Sequence, residues 1–537
     1  MAGYRVCKNC DSHIERTVLD NNFCICPNCN SYLRYHARKR IQMLADPNSF
    51  NEWHWNADFI SKIKDEKYKT DIEKAKEKHN LDEAVVCGEM TIKGERALVG
   101  VMDSRFMMAS MGHEVGERIS ELFERAIKRK LPVIIFCCSG GARMQEGIIS
   151  LMQMEKTSAM VKKHSDAGLL YISVLTNPTM GGVAASFAVL ADILLAEKGA
   201  MIGFAGARVI EQNTGRKLPK GFQTAEFKKE HGFVDGVIER EKERDILAYL
   251  LGIHSRKKIK LKENRLTNIA NTKNEYCLKP WEVVKLARCI TRPTSLDYIN
   301  NIFSDFYELY GDRLGGDDHA VVAGIATFKG MPVTVIGQQK GKRSCQDALY
   351  RNYGMPSPCG YRKALRLAKQ AEKFGRPIVF LVDTIGAACG KEAEEDGQEM
   401  AIANLLYELS SLETPILSII IGEGGSGGAL AFAVANEVMM LENSVYSVIT
   451  PEGYASILWR DSTKASEAAE CMGMTSDILF NLHVVDKIIP EKEPITMSNM
   501  QNMCQEMSGY MTNFFAKYTR KSGKVLATER VQRFMQY

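Results

Sequence analysis

The chain has 537 residues, which at about 150 per domain allows roughly three or four domains. Hydrophobic residues make up 45% and charged residues 25%, so collagen-like, coiled-coil and largely disordered readings are excluded. Lys+Arg 70 against Asp+Glu 65 leaves a formal charge of +5, too small at this length to argue for nucleic acid by itself.

The chain opens on Cys7-x2-Cys10 and Cys26-x2-Cys29, with 15 residues between the pairs. Two such turns present four thiolates tetrahedrally to Zn²⁺, and a closed four-cysteine site is structural because no position is left for water. Asp11 and Asn30 follow the pairs, and Asx residues tolerate the left-handed backbone such knuckles require. Cys24 competes for a place in the set, but only Cys26 has the x2 spacing. Residues 1–33 are therefore expected to be a zinc ribbon. Arg34, Arg38, Lys39 and Arg40 follow it, either as a solvated basic face or as a nucleic-acid contact. Met1–Asp11 is polar rather than a secretory signal, and the odd cysteine count fits a reducing cytoplasm. The longest apolar run, Thr414–Leu441, carries Glu423 and Glu437 and many glycines, so no membrane span is expected.

Within 34–254, from about Glu83 to Val237, strand-like runs (Ala97–Met102, Leu131–Cys137, Leu169–Leu175, Ala200–Phe204) alternate with the helical patterns Gly116–Lys130 and Val183–Glu197. This predicts an α/β domain. Residues 255–276 are charged and poor in apolar groups, so a linker is expected over 255–279. Alternation resumes over 280–537 and ends in a Met-rich helical tail, Thr496–Tyr537. The two blocks read as copies. Pro132 and Pro377 each precede a strand, and Gly181-Gly182 and Gly427-Gly428 each precede a helix, at shifts of 245 and 246 residues.

The second block's Gly422-x-Gly424-x-x-Gly427, with Glu442 downstream, matches a dinucleotide fingerprint. Gly424-x-Ser426-x-Gly428 matches a nucleophile elbow, with Asp461 or Asp477 and His483 in the order of a triad. The repeat argues against both, because the first copy has neither the serine nor the third glycine. Both copies share Gly-Gly at a helix start, where unpaired amides and the positive end of the helix dipole stabilise developing negative charge. Two oxyanion holes are therefore expected, without a side-chain nucleophile. His113, His231 and His319 show no catalytic spacing. Arg143, Arg208 and Lys340-Gly-Lys-Arg343 are candidate phosphate contacts or ordinary ion pairs.

At this point the strings are recognisable. The ribbon, Ser139-Gly-Gly-Ala-Arg-Met-Gln-Glu-Gly147, Asn177-Pro-Thr-Met-Gly-Gly182, Ile202–Gln212 and Glu230-His-Gly-Phe-Val-Asp235 resemble the β subunit of the acetyl-CoA carboxylase carboxyltransferase. Pro280-Trp, Leu296-Asp-Tyr, Gly311-Asp-Arg, Gly315-Gly-Asp-Asp318, Gly360–Leu365, Gly422–Leu430 and Tyr446–Gly453 resemble its α subunit. The chain looks like a β–α fusion over nearly its whole length. The resemblance implies a zinc ribbon followed by two tandem crotonase-like (ClpP/crotonase) domains, acyl-CoA side first and biotin side second. It implies transfer of a carboxyl group from carboxybiotin, on a biotin carboxyl carrier protein, to acetyl-CoA. The product is malonyl-CoA for fatty acid biosynthesis, and biotin carboxylase is a further partner. Sites built between chains make a homodimer, equivalent to α2β2, the minimal assembly.

On this reading Gly181 and Gly182 meet the thioester oxygen, with Gly140, Gly141, Arg143 and Arg208 around the substrate. Gly427 and Gly428 meet the biotin ureido oxygen, in a turn built by Gly424 and Gly425. The released biotin nitrogen would be the base, so no protein base is expected. The chain departs from the family strings at Ile385, Ala388, Cys389 and Gln338, and at Gly206-Ala-Arg208. A carboxylase or decarboxylase for another acyl-CoA is the alternative within the same fold.

Overall fold

In this computed structural model the described residues are 3–55, 65–255, 261–262, 278–341 and 344–537, without the side chains of residues 208, 209, 213 and 214. They fall into two compact units, within 1–255 and within 256–537. The linker expected over 255–279 lies outside the described residues except for Ser255, Leu261, Lys262, Leu278 and Lys279.

The first unit opens with a small ribbon, in which β1 (Tyr4–Val6) pairs antiparallel with β2 (His13–Glu15). Its own small core is Cys7, Ile14, Leu19, Cys24 and Cys26. The rest is one twisted sheet. Its strands are β3 (Asn51–Glu52), β4 (Val85–Ile92), β5 (Glu95–Met102), β6 (Val133–Ser139), β7 (Tyr171–Met180), β8 (Ile193–Glu197), β9 (Ile202–Gly203) and β10 (Gly236–Ile238). They run in the order β10-β8-β7-β6-β5-β4-β3, with β9 also paired to β7. Pairing is antiparallel from β3 to β5 and parallel from β5 to β10. β6 reads Val-Ile-Ile-Phe-Cys-Cys-Ser and is buried along its whole length, as a parallel strand covered on both faces must be. The helix His113–Arg129 covers it with Val115, Ile119, Leu122, Phe123 and Ala126, which recur at helical spacing. That helix ends at Lys130 in the left-handed conformation, with Lys128 and Arg129 at its negative end.

The second unit contains β11 (Ser304–Glu308), β12 (Val321–Phe328), β13 (Met331–Gln338), β14 (Ile378–Thr384), β15 (Ile416–Gly425), β16 (Glu437–Leu441), β17 (Val445–Ser447) and β18 (Lys487–Ile489). Their order is β11-β12-β13-β14-β15-β16-β18, with β17 on β15. This is the topology of the first sheet, strand for strand, with the same change from antiparallel to parallel. The expected duplication is therefore present in the hydrogen-bond ladder itself.

One expectation is corrected. Val183–Glu197 is not one helix: it holds the end of the short helix Gly181–Ala184, a 3₁₀ turn at Phe187–Val189, and strand β8. Ile193–Glu197 is a short, fully buried apolar run, and periodicity alone cannot assign such a run. The tail, expected to be helical, forms two helices, Met500–Tyr518 and Gly523–Phe534. Met507, Met511, Phe514 and Phe515 are buried against the strands of the second sheet. Each such side chain contributes about 1.5–3 kcal/mol on burial.

Candidate functional site

The parallel strands of each sheet end in two facing turns. In the first unit, β6 pairs with β7 from Val133↔Tyr171 to Cys137↔Leu175, then slips before Ser139↔Thr179. In the second, β14 pairs with β15 from Ile378↔Ile416 to Val382↔Ile420, then slips before Thr384↔Gly424. All these pairs correspond at a constant shift of 245 residues, slip included.

After the slip, the first turn of each pair folds back on a hydroxyl. The Gly141 amide donates to Ser139 Oγ at 2.9 Å, and the Gly386 amide donates to Thr384 Oγ1 at 3.1 Å. Both glycines have positive φ, 119° and 155°. A left-handed loop supports each turn: Met107, Met108 and Ala109 in one unit, Asn352, Tyr353 and Gly354 in the other, all at positive φ. Beyond it, Arg143 N–H donates to Met111 O and Ala388 N–H to Pro356 O, both at 2.9 Å.

The second turn of each pair starts the helix after the long strand. Constant register places Gly181 opposite Ser426 and Gly182 opposite Gly427, which corrects the Gly-Gly to Gly-Gly correspondence by one residue. Gly181 and Ser426 each open a short helix, Gly181–Ala184 and Ser426–Leu430. A Cβ on Gly181 would lie 2.9 Å from Gly141 Cα, so the facing turns touch backbone to backbone. Nothing lies within 4 Å of a Cβ built on Gly427, whereas one on Gly428 would lie 2.4 Å from the Ala387 nitrogen.

Most amides in these turns are engaged. Gly140 N–H donates to Met108 O at 2.8 Å and Gly181 N–H to Phe204 O at 3.0 Å. Gly182 and Gly427 are second residues of their helices, where an amide has no intrahelical acceptor. Across from them stand Ala142 and Ala387, the residues after Gly141 and Gly386. Of the predicted residues, then, Gly182 and Gly427 offer free-facing amides. Gly140, Gly141 and Gly181 shape the turns instead. Gly428 is buried, and its carbonyl accepts from Gln338 Nε2 at 2.9 Å. Gly424 and Gly425 end β15, where close approach to the Tyr446 ring and to Ile385 O excludes a side chain. Ala142 and Ala387 were missed by sequence reasoning, although Ser139-Gly-Gly and Thr384-Ile-Gly, one hydroxyl two residues before a glycine, carried the signal.

Arg143 is not placed to meet a phosphate, which corrects that expectation. Its guanidinium is 1% exposed and grips Glu83 with two bonds of 2.9 and 2.7 Å. Burial alone would raise the Glu83 carboxyl, but Arg143 holds it below its ordinary value. Arg208 lies in the helix Ala207–Thr214, and its side chain lies outside the described set, as do Lys342 and Arg343. Lys340 is buried between Asp383 at 2.8 Å and Glu423 at 2.6 Å. Burial would lower its ammonium, yet those two carboxylates keep it above its ordinary value. Arg288 extends the network, binding Glu423 at 2.7 Å and Glu452 at 2.6 Å. A cavity of about 670 Å³ opens beside Lys340, with Thr294, Gln339 and Ser498 among its walls.

The rival patterns do not assemble. Ser426 is exposed, Asp461 accepts from Thr463, Asp477 accepts from Thr475, and the His483 carbonyl accepts from Tyr537. Among the described hydrogen bonds none joins Ser426 to these three. The basic stretch after the ribbon is largely paired: Arg38 with Glu52, Lys39 with Asp20, and Arg40, buried, with Glu197 and Glu243.

Cys7, Cys10, Cys26 and Cys29 bring their sulfurs within 4.8 Å of one another. The Cys7–Cys29 and Cys10–Cys26 separations are 3.6 and 3.7 Å. The edge of a tetrahedron with Zn–S bonds of about 2.3 Å is about 3.8 Å, so the donor set fits zinc. Asp11 and Asn30 have φ of 53° and 56°, as the knuckles require. Cys24 stays outside the set, near Asp20. Arg240 joins the ribbon to the sheet, donating to Phe23 O at 2.7 Å while pairing with Glu197 at 2.7 Å.

A family model described as acetyl co-enzyme A carboxylase carboxyltransferase-like matches residues 226–537. A protein of Clostridium tetani named acetyl-coenzyme A carboxylase carboxyl transferase subunits beta/alpha is 52% identical over 499 residues, 93% of this chain and 86% of that protein. One of the same name from Natranaerobius thermophilus is 48% identical over 545 residues, 98% of this chain and 90% of that protein. Among solved structures, a transcarboxylase 12S with methylmalonyl-coenzyme A and methylmalonic acid bound aligns with a TM-score of 0.72 at 22% identity, over 91% of this chain and 90% of that one. A single-chain long-chain acyl-CoA carboxylase aligns with a TM-score of 0.68 at 18% identity, over 90% of this chain and 46% of that one. These two share the fold.

Proposed function

Because the chain belongs to the acetyl-CoA carboxylase carboxyltransferases that join β and α subunits in one polypeptide, we propose that its two facing-turn pairs are the two oxyanion sites of malonyl-CoA synthesis. The enzyme is a biotin-dependent carboxyltransferase of fatty acid synthesis. It moves a carboxyl group from carboxybiotin to acetyl-CoA. The observation that carries the assignment is the repetition of one turn pair, slip and hydroxyl included, at the same end of both sheets.

In the first unit the amides of Gly182 and Ala142 receive the thioester oxygen as the acetyl group becomes an enolate. In the second, the amides of Gly427 and Ala387 receive the ureido oxygen. Preorganised donors of this kind are worth about 3–4 kcal/mol each in a site that excludes water. Biotin, carried on its own carrier protein, supplies a carboxyl group in a transferable form. The chain's residues hold the two oxygens and leave open space in front of Gly427.

The ribbon holds one structural zinc through Cys7, Cys10, Cys26 and Cys29, and the working assembly is a homodimer served by the carrier protein and biotin carboxylase in the cytoplasm. The deciding experiment follows carboxyl transfer from malonyl-CoA to biocytin, with acetyl-CoA and propionyl-CoA compared as acceptors in the forward direction. Transfer with a preference for acetyl-CoA is expected. Properly folded protein without transfer would overturn the reading, and a preference for propionyl-CoA would move it to another acyl-CoA.

A further inference from the structure

We propose that the buried Arg143–Glu83 pair is a positioning device for the acyl-side oxyanion amide of Ala142, an inference that rests on the carboxyltransferase reading of that turn. Arg143 directly follows Ala142. Its guanidinium binds Glu83 through two bonds of 2.9 and 2.7 Å and donates to Ser110 O at 2.8 Å and Ser110 Oγ at 3.2 Å. Ser110 closes the left-handed loop Met107–Ala109, and Met111 beside it exchanges backbone bonds with Gly141 and Arg143 at 2.8 and 2.9 Å. Glu83 stands two residues before β4 and also accepts from the Ala84 amide at 2.7 Å. One planar cation thus ties the turn, the loop and the entry to β4 together. Two-pronged Arg–carboxylate contacts fix direction as well as distance.

The second unit serves as an internal control. Ala388 stands where Arg143 does, yet its amide makes the same 2.9 Å bond, to Pro356 O. The turn therefore folds without a guanidinium, and the charged tether is an addition on the acyl side alone. Enolate formation demands a donor that does not move as charge develops, and small displacements of such donors are costly, on the order of 10²-fold in rate.

The test uses the full chain with Arg143→Met, Glu83→Gln and the double variant, measuring thermal midpoint together with kcat and KM for malonyl-CoA and biocytin. Arg143→Met alone leaves a buried unpaired carboxylate, so it loses stability as well as rate. The double variant removes both charges of the pair; the Glu146 carboxylate, 3.7 Å from Arg143, keeps its bonds from the Tyr68 hydroxyl and the His113 amide. It is expected to regain most of the midpoint while kcat stays down by about 10²-fold, with both KM values within about twofold of the parent. A kcat that returns with the midpoint makes the pair merely structural and overturns the proposal. So does a raised KM for malonyl-CoA at unchanged kcat, which marks substrate binding. Should these variants not fold, Arg143→Lys decides: it keeps the charge but not the fork, and parent-like kcat would overturn the proposal. A parent enzyme without carboxyl transfer would instead sink the reading beneath it.

Discussion

Gly181 and Ser426 occupy the same place in the two halves, each at φ of 59° and each the first residue of the helix that follows the long central strand. Left-handed backbone costs an L-residue roughly 1–2 kcal/mol and glycine nothing comparable. The serine is the second half's substitute for a glycine, not an addition of chemistry. Ser426→Gly should therefore keep carboxyl transfer near the parent level and stability within about 1 kcal/mol. Abolished activity in a folded Ser426→Gly enzyme would revive the nucleophile reading.

Neighbouring glycines in that turn separate function from packing. Gly427→Val places its side chain in open space, so the thermal midpoint should hold while transfer falls by about 10²-fold or more. Gly428→Ala drives a Cβ to 2.4 Å from a backbone nitrogen, so its midpoint should drop. Melting curves beside exchange rates check both, and equal behaviour of the two variants would contradict the one-residue offset.

Glu114 gives a pH signature. Burial, reinforced by nearby Glu83, pushes its carboxyl up to about 7 from 4.5, and its Oε1 has no hydrogen-bond partner among the described residues. A carboxyl raised by folding binds its proton more tightly in the folded chain. Its contribution is present below pH 4.5 and lost as pH rises through about 7. Glu114→Gln should therefore be more stable than the parent at pH 8, by on the order of 1–3 kcal/mol, with the gap closing towards pH 5. Denaturant titrations at the two pH values measure the gap directly.

Chelation should release zinc from the four-cysteine cluster and unfold the ribbon, whose core is little more than Ile14, Leu19 and its own cysteines. The eight-stranded sheets have their own cores, so far-ultraviolet dichroism should change little. Metal analysis before and after chelation, with Cys26→Ser as a second route, is the check. Retention of a protected ribbon in metal-free protein would contradict the assignment.

Much of this was legible in the residues. The four-cysteine spacing located the ribbon, and the repeated proline and glycine landmarks located both sheets and both turns. What escaped was set by tertiary context. Val183–Glu197 has helical apolar spacing, but a parallel sheet claimed Ile193–Glu197 and tertiary pairing overrode the local pattern. Arg143 looked like a phosphate ligand because its carboxylate partner, Glu83, stands 60 residues away in sequence. The extra glycine after Ser426 suggested a Gly-Gly match that the ladder shifts by one. Ala142 and Ala387 offer the turns only backbone amides, which no side-chain pattern announces.

Arg530 makes the last helix a fastener. Fully buried, it donates to the carbonyls of Leu409, Leu412 and Thr414 and to Asn436 Oδ1, at 2.6 to 2.9 Å. Arg530→Met should cost about 3 kcal/mol or more by stranding those acceptors, which equilibrium unfolding would register. The same geometry orders biosynthesis. Strand β15, which carries Gly424 and Gly425 to the second unit's turn, begins two residues after Thr414, whose carbonyl waits for a partner 116 residues downstream. The first unit can mature while the ribosome is still working. The second unit must wait until Arg530 has been made, so a product truncated before that residue would leave the carbonyls of Leu409, Leu412 and Thr414 without their fastener.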